Sequence, residues 1–173
     1  MHPTPILPRP LYAPNTPLTA LRTAELLLVA ALRLWAAPYR TGGEVEGDWR
    51  DGFVAGGVDA RGIDAFEAIV RLVAAGPRRR LDVRCRRCAA LGGDEASLLR
   101  LVGALQRDRV AAAAGILGQW LPPAAARAAL PAARSLAVSF ALAGLRVPPR
   151  HGEAALPVAS SPASADRGMA LLH

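Results

Sequence analysis

The pair Cys85 and Cys88, in the run Cys-Arg-Arg-Cys, is the sharpest chemical feature of this sequence. Two thiolates at this spacing can bind one zinc ion, because the turn between them brings the sulfurs together. Zinc prefers four ligands, so Asp82 or Asp94 would have to add an oxygen, or a homodimer would have to supply a second cysteine pair. A zinc site, shared across a homodimer, is therefore one interpretation of the pair.

A redox role and an incidental packing role are the two other interpretations of Cys85 and Cys88. The arginines around the pair would favour the thiolate form and so promote oxidation to a Cys85–Cys88 disulfide. No β-α-β pattern precedes the pair, however, as it would in a thioredoxin-like protein. The sequence leaves zinc binding, redox cycling and simple packing open.

A cluster of arginines surrounds the cysteines: Arg78, Arg79, Arg80, Arg84, Arg86 and Arg87. Arginine binds phosphate bidentately, so this cluster predicts contact with nucleic acid or with an acidic protein surface. No aromatic residue lies among these arginines in the sequence, so base stacking is not indicated. The alternative is a solvated basic loop that pairs with acidic residues elsewhere. Residues 41–70, with seven acids and two arginines, are the expected counterpart.

The histidines and the missing lysine limit the catalytic chemistry. His2, His151 and His173 all lie in predicted tails, which disfavours Ser-His and Cys-His nucleophilic catalysis. The chain contains no Lys, which excludes Schiff-base chemistry and the phosphate lysine of a P-loop. The sequence therefore favours a non-enzymatic protein without settling the question.

Other acidic and aromatic residues are expected to have structural roles. Four acids follow one another closely: Glu44, Glu46, Asp48 and Asp51. Their spacing is not that of a calcium loop, and helix-start charges explain them better. Asp64 with Glu67 fits a capping arrangement better than a catalytic dyad. Three tryptophans fall on apolar helix faces and are expected in the core: Trp35, Trp49 and Trp120.

The composition predicts the fold class that must position these residues. The 173 residues include 37 Ala and 25 Leu, and aromatic residues make up only 5%. Because Ala, Leu and Arg favour helices, we expect an all-α protein, a single compact bundle of about five or six helices. The helical domain is predicted over 17–147. A Pro-rich tail (1–16) and a Pro/Ala/Ser-rich tail (148–173) are predicted to be disordered.

Local signals divide the predicted domain into elements. The first helix is expected from Pro17 to Ala37, where Pro38 should stop it. The remaining helices are expected from Asp48, from between Asp59 and Asp64, from Asp94, and over about 110–121 and 124–143. Residues 78–93 are expected to form an irregular loop. Four further placements follow from helical spacing: Arg22, Glu25 and Arg33 on the polar surface of the first helix, and Val138 in the core.

Charge and hydropathy limit the range of possible partners and cellular locations. The net charge of +7 favours acidic partners such as nucleic acid, although GC-rich coding would produce the same balance. No signal peptide or membrane span is expected, so we predict a cytoplasmic bacterial protein.

The leading hypothesis is a non-enzymatic binding or regulatory protein that acts through the loop from Arg78 to Cys88. A thiol–disulfide redox protein and a structural subunit of a larger complex are the alternatives.

Overall fold

The computed structural model describes residues 12–13, 15–41 and 47–149, and these residues form a helical bundle without strands. A short 3-10 turn at Leu18–Ala20 precedes six helices. The helices are α1 Thr23–Thr41, α2 Trp49–Ala55, α3 Ala60–Ala75, α4 Gly93–Gln106, α5 Val110–Trp120 and α6 Pro123–Leu142. The predicted all-α bundle is confirmed. Across the described part of the chain, every helix is too short or too polar to cross a membrane. Most of both predicted tails lies outside the described residues.

The ends of three helices follow the capping signals in the sequence. The Asp48 side chain accepts a hydrogen bond from the Arg50 amide at the start of α2. The Asp59 side chain accepts one from the Gly62 amide at the start of α3. Gly144, just beyond α6, has a φ of +76°, a left-handed conformation that favours glycine. All three residues were expected to begin or end a helix.

The first helix differs from its prediction at both ends. It begins at Thr23, where the Glu25 carboxylate accepts a hydrogen bond from the Arg22 amide at 2.7 Å. It continues past Pro38 to Thr41, and in this last turn Tyr39 contacts the Trp35 ring and Arg40 donates to the Val83 carbonyl. The prediction that Pro38 stops the helix was wrong, and α1 therefore carries Tyr39 and Arg40 as helical residues.

The core lies where α6 packs against α3, α4 and α5, while α1 packs against α2 and α4. Phe53, Phe66 and Phe140 are fully buried, and their edge-to-face rings tie α2, α3 and α6 together. Val138 was predicted in this core but is 54% exposed. It lies two residues from both Leu136 and Phe140, which places it on the opposite face of α6.

The described residues before α1 contribute to the core as well. Tyr12, within the predicted disordered tail, is only 5% exposed, and its hydroxyl donates to Glu25 Oε1 at 2.7 Å. Glu25 itself is fully buried, so its predicted position on the polar surface of α1 was wrong. The tyrosine hydroxyl and the Arg22 amide satisfy the buried carboxylate.

Candidate functional site

The segment between α3 and α4, residues 78–92, is the candidate functional site, and we call it the arginine loop. An irregular loop was predicted over 78–93, one residue longer, because α4 begins at Gly93. It contains no helix and touches the residues before α1 through a single β-bridge, between Pro17 and Ala90. The Leu18 amide donates to the Ala89 carbonyl at 2.8 Å, and the Leu91 amide donates to the Thr16 carbonyl at 2.9 Å. The irregular backbone is thus attached to the body of the bundle.

A buried ion pair lies beneath the arginine loop. Arg33 of α1 and Glu95 of α4 are 3% and 0% exposed, and two hydrogen bonds of 2.7 and 2.8 Å join their side chains. The Arg33 guanidinium also donates to the carbonyls of Cys88 and Ala90, at 2.6 and 2.8 Å. The prediction that Arg33 lies on the polar surface of α1 was wrong, because four acceptors satisfy its charge in the interior.

Glu95 binds the backbone in the middle and at the end of the arginine loop. Its Oε1 accepts from the Arg84 amide at 2.8 Å, and its Oε2 accepts from the Gly92 amide at 2.7 Å. Together with the two bonds from Arg33, each carboxylate oxygen therefore accepts two hydrogen bonds. This satisfied, buried carboxylate fixes the loop backbone at two points eight residues apart in sequence.

Asp94, the neighbour of Glu95, holds the first part of the arginine loop. The Arg79 guanidinium donates two hydrogen bonds to its carboxylate at 2.8 and 2.6 Å. The Asp82 amide and the Trp120 indole donate to it at 2.6 and 2.8 Å. Burial raises the pKa of Asp94, but the hydrogen bonds from Arg79, Asp82 and Trp120 outweigh it and hold that pKa below its usual value.

Three of the six predicted arginines are engaged by the protein itself. Arg79 binds Asp94, and Arg78 donates to the Gly118 carbonyl at 2.9 Å. Arg84 lies 3.3 Å from the Asp82 carboxylate. Among the described residues, the acids that pair with the cluster therefore belong to its own section of the chain. In the predicted acidic counterpart, 41–70, Glu67 pairs with Arg50 and Arg71.

The other three arginines of the cluster face solvent. Arg80, Arg86 and Arg87 are exposed. Within the described residues, their side chains form no hydrogen bond or ion pair with the protein. Arg86 and Arg87 lie in the turn between the cysteines, which the Cys88 amide closes by donating to the Cys85 carbonyl at 3.1 Å. Three positive charges of the arginine loop are thus without a counter-charge in the described part of the chain. The loop backbone that carries them is bound by the buried carboxylates of Asp94 and Glu95.

The cysteines are joined as a Cys85–Cys88 disulfide within the arginine loop. Cys85 is exposed and Cys88 is half-buried. In this bonded form neither residue offers a thiolate to a metal, and the hydrogen bonds from Arg79 and the Gly93 amide occupy Asp94 and Asp82. In the part of the chain that the structure describes, no three His, Cys, Asp or Glu residues lie close enough to hold a metal ion. Zinc shared by a homodimer remains a prediction.

A surface cavity of about 820 Å³ lies beside the arginine loop, between α1, α3 and α4. Trp35 and Tyr39, one turn apart on α1, line it with ring centroids 5.0 Å apart. Arg40, Arg79 and Arg80 also line it, and Arg40 donates to the Val83 carbonyl. This arrangement could not be predicted from the sequence, because about 40 residues separate Tyr39 from Arg79 and Arg80, which the fold places beside the same cavity.

The remaining predicted site residues have structural roles or lie outside the described residues. Asp48 caps α2, and Asp51 lies in the first turn of that helix. Trp49 and Trp120 are buried as predicted, whereas Trp35 is half-buried. Asp64 is exposed, and Asp59 caps α3 instead of Asp64. Five residues lie outside the described part of the chain: His2, Glu44, Glu46, His151 and His173.

Comparison with protein-family models, with curated proteins and with solved structures found no match for this chain.

Proposed function

We propose that this protein is a non-enzymatic binding protein that contacts the phosphates of nucleic acid through the arginine loop. The exposure of Arg80, Arg86 and Arg87, which lack a partner among the described residues, carries this proposal. A guanidinium binds a phosphate through two parallel hydrogen bonds, and several such contacts along a backbone add affinity. The net charge of +7 adds a long-range attraction to the same partner.

The attachment of the arginine loop to the bundle supports a preformed binding surface. The Arg33–Glu95 pair and the Arg79–Asp94 pair hold the backbone on both sides of Arg80 and near Cys88. A surface that is already ordered loses less conformational entropy on binding than a flexible basic tail does. Nucleic acid is favoured over an acidic protein because aromatic side chains lie beside the arginines in the cavity. A cytoplasmic location and a homodimer are part of this proposal.

Fluorescence anisotropy with a labelled single-stranded oligonucleotide tests the proposal. We expect the double variant Arg86→Glu/Arg87→Glu to lose at least about tenfold in affinity at low salt, because two attractive charges become repulsive. The matched control is Arg127→Glu, the same charge change at an exposed position of α6, which should bind almost as wild type does.

Two outcomes would reject the proposal. One is an oligonucleotide affinity that Arg86→Glu/Arg87→Glu leaves unchanged. The other is an affinity for poly-glutamate, added as a competitor, that exceeds the affinity for the oligonucleotide. The second result would assign the arginine loop to an acidic protein partner instead.

The exposed disulfide supports a thiol–disulfide redox protein as the second candidate function. A thiolate of a dithiol partner would attack the exposed Cys85 sulfur and release the Cys88 thiolate. The second partner thiol would then resolve the mixed disulfide, so that two electrons pass to the loop and the partner becomes oxidised. This function predicts that wild type accelerates the reduction of insulin by dithiothreitol and that Cys88→Ser does not. Equal rates for the two proteins would exclude it.

A further inference from the structure

The cavity beside the arginine loop combines the two chemical features that single-stranded nucleic acid requires. Proteins that bind single strands use positive charge for the phosphates and aromatic rings for the bases. Tyr39 is 72% exposed although it contacts Trp35, so much of its ring is open to solvent. The volume of about 820 Å³ falls within the range of small-molecule sites, about 300–1,000 Å³.

The charges around the cavity suit an aromatic group that carries a phosphate. Three arginines and two acids line it: Arg40, Arg79, Arg80, Asp82 and Asp94. Arg79 neutralises Asp94 through two hydrogen bonds, and Asp82 accepts from the Gly93 amide and lies near Arg84. Arg80 has no such partner among the described residues, so an unbalanced positive charge remains where the cavity meets the loop.

We propose that this cavity is a nucleotide subsite, in which a base of the bound strand stacks on Tyr39 while its phosphate contacts Arg80. This inference rests on the proposed function, because the strand that enters the cavity is the one whose backbone crosses the arginine loop. Arg80 connects the two surfaces, since it belongs to the loop and also lines the cavity. Arg86 and Arg87 then hold phosphates of neighbouring nucleotides.

The test compares two single-stranded probes of equal charge, a 12-nucleotide oligothymidine and an abasic strand with the same number of phosphates. Wild type should bind the oligothymidine at least about fivefold more tightly, which is the lower end of the effect of stacking one base. Tyr39→Ala should remove this preference and leave the affinity for the abasic strand unchanged. Tyr39→Phe, which keeps the ring, should retain the preference.

Control variants separate the cavity from the loop and from the fold. Leu142→Ala truncates another exposed apolar side chain, on α6, and should change neither affinity. Arg86→Glu/Arg87→Glu should weaken binding of both probes equally, because it removes phosphate contacts and leaves stacking in place. Circular dichroism should show wild-type helix content for Tyr39→Ala, since an exposed side chain contributes little to the core.

Three results would overturn the inference. Equal affinity of wild type for the two probes would leave phosphate binding by the loop in place and remove the nucleotide subsite. A preference for the oligothymidine that survives in Tyr39→Ala would place base contact elsewhere. Failure of wild type to bind either probe would overturn the subsite together with the proposed function.

Discussion

Replacing Arg33 by methionine should be among the most damaging single changes in this protein. Methionine keeps an apolar stem of similar length but removes the guanidinium. The carboxylate of Glu95 would then be buried without a counter-charge, and the carbonyls of Cys88 and Ala90 would lose their donor. Breaking a buried ion pair by removing one partner costs about 3–5 kcal/mol. A small domain is stable by only about 5–15 kcal/mol, so this loss takes a large share of the total.

Urea unfolding, followed by circular dichroism, measures this loss for Arg33→Met and for a matched control. Arg71→Met removes the guanidinium of a pair with Glu67 in which Arg71 is 75% exposed. Because exposed helix pairs of this kind contribute about 0.3–0.5 kcal/mol, the control should unfold close to the wild-type midpoint. A free-energy loss below about 1 kcal/mol for Arg33→Met would refute the argument that the buried pair holds the arginine loop.

The double variant Arg33→Met/Glu95→Gln separates the pair from its two members. In the double variant no uncompensated charge is buried. Its loss in free energy of unfolding should therefore be at least about 1 kcal/mol smaller than the sum of the losses in Arg33→Met and Glu95→Gln. Strict additivity would mean that the two side chains act independently, which contradicts the hydrogen bonds of 2.7 and 2.8 Å between them.

Three further predictions concern stability, each measured by urea unfolding. The pKa of Asp94 lies below its unfolded value, so its carboxylate stabilises the fold above about pH 4, and this contribution is lost as the pH falls through the folded pKa. The difference in free energy of unfolding between wild type and Asp94→Asn should therefore shrink below about pH 4. A difference that stays constant with pH would contradict the lowered pKa of Asp94. Trp120→Phe should lower the free energy of unfolding by about 1.5–3 kcal/mol, because it removes the indole donor to Asp94. An unchanged urea midpoint would mean that this hydrogen bond does not stabilise the fold. Gly62→Ala should lower the free energy of unfolding by about 1–3 kcal/mol, since the new Cβ would lie 2.6 Å from Ser139 Cβ. Gly115→Ala, at a position of α5 with open space around it, should raise the free energy of unfolding by about 0.5–1 kcal/mol. Equal effects of the two glycine variants would refute the packing argument.

Local sequence signals were sufficient for most of the fold. Helix starts at Asp48 and Asp59 and the helix end at Gly144 depend on a residue and its immediate neighbours, so they could be predicted from the chain alone. The end of α1 could not be predicted in this way. The helix extends beyond Pro38, where Arg40 donates to the Val83 carbonyl 43 residues further along the chain, and such a tertiary contact has no local signature.

The exposed arginines of the candidate site could be predicted from the sequence. The buried ion pair that holds the loop in place could not. The arginine cluster is visible as a run in the sequence, and the structure places Arg80, Arg86 and Arg87 in solvent. Arg33 and Glu95, in contrast, are 62 residues apart, and each alone looks like a surface charge on an amphipathic helix. Only the tertiary contact shows that the two charges are buried together. The same holds for Tyr39 and Arg80, which meet at the cavity only in the folded chain.

The salt dependence of oligonucleotide binding tests the central claim most directly. Each phosphate contact adds about −0.7 to the slope of log K against log salt for a single strand, so contacts from Arg80, Arg86 and Arg87 predict a slope of about −2. Arg86→Gln/Arg87→Gln should make the slope shallower by about 1.4, whereas Arg127→Gln should leave it unchanged. A slope that responds equally to both changes, or that responds to neither, would contradict the assignment of the arginine loop as the nucleic-acid contact.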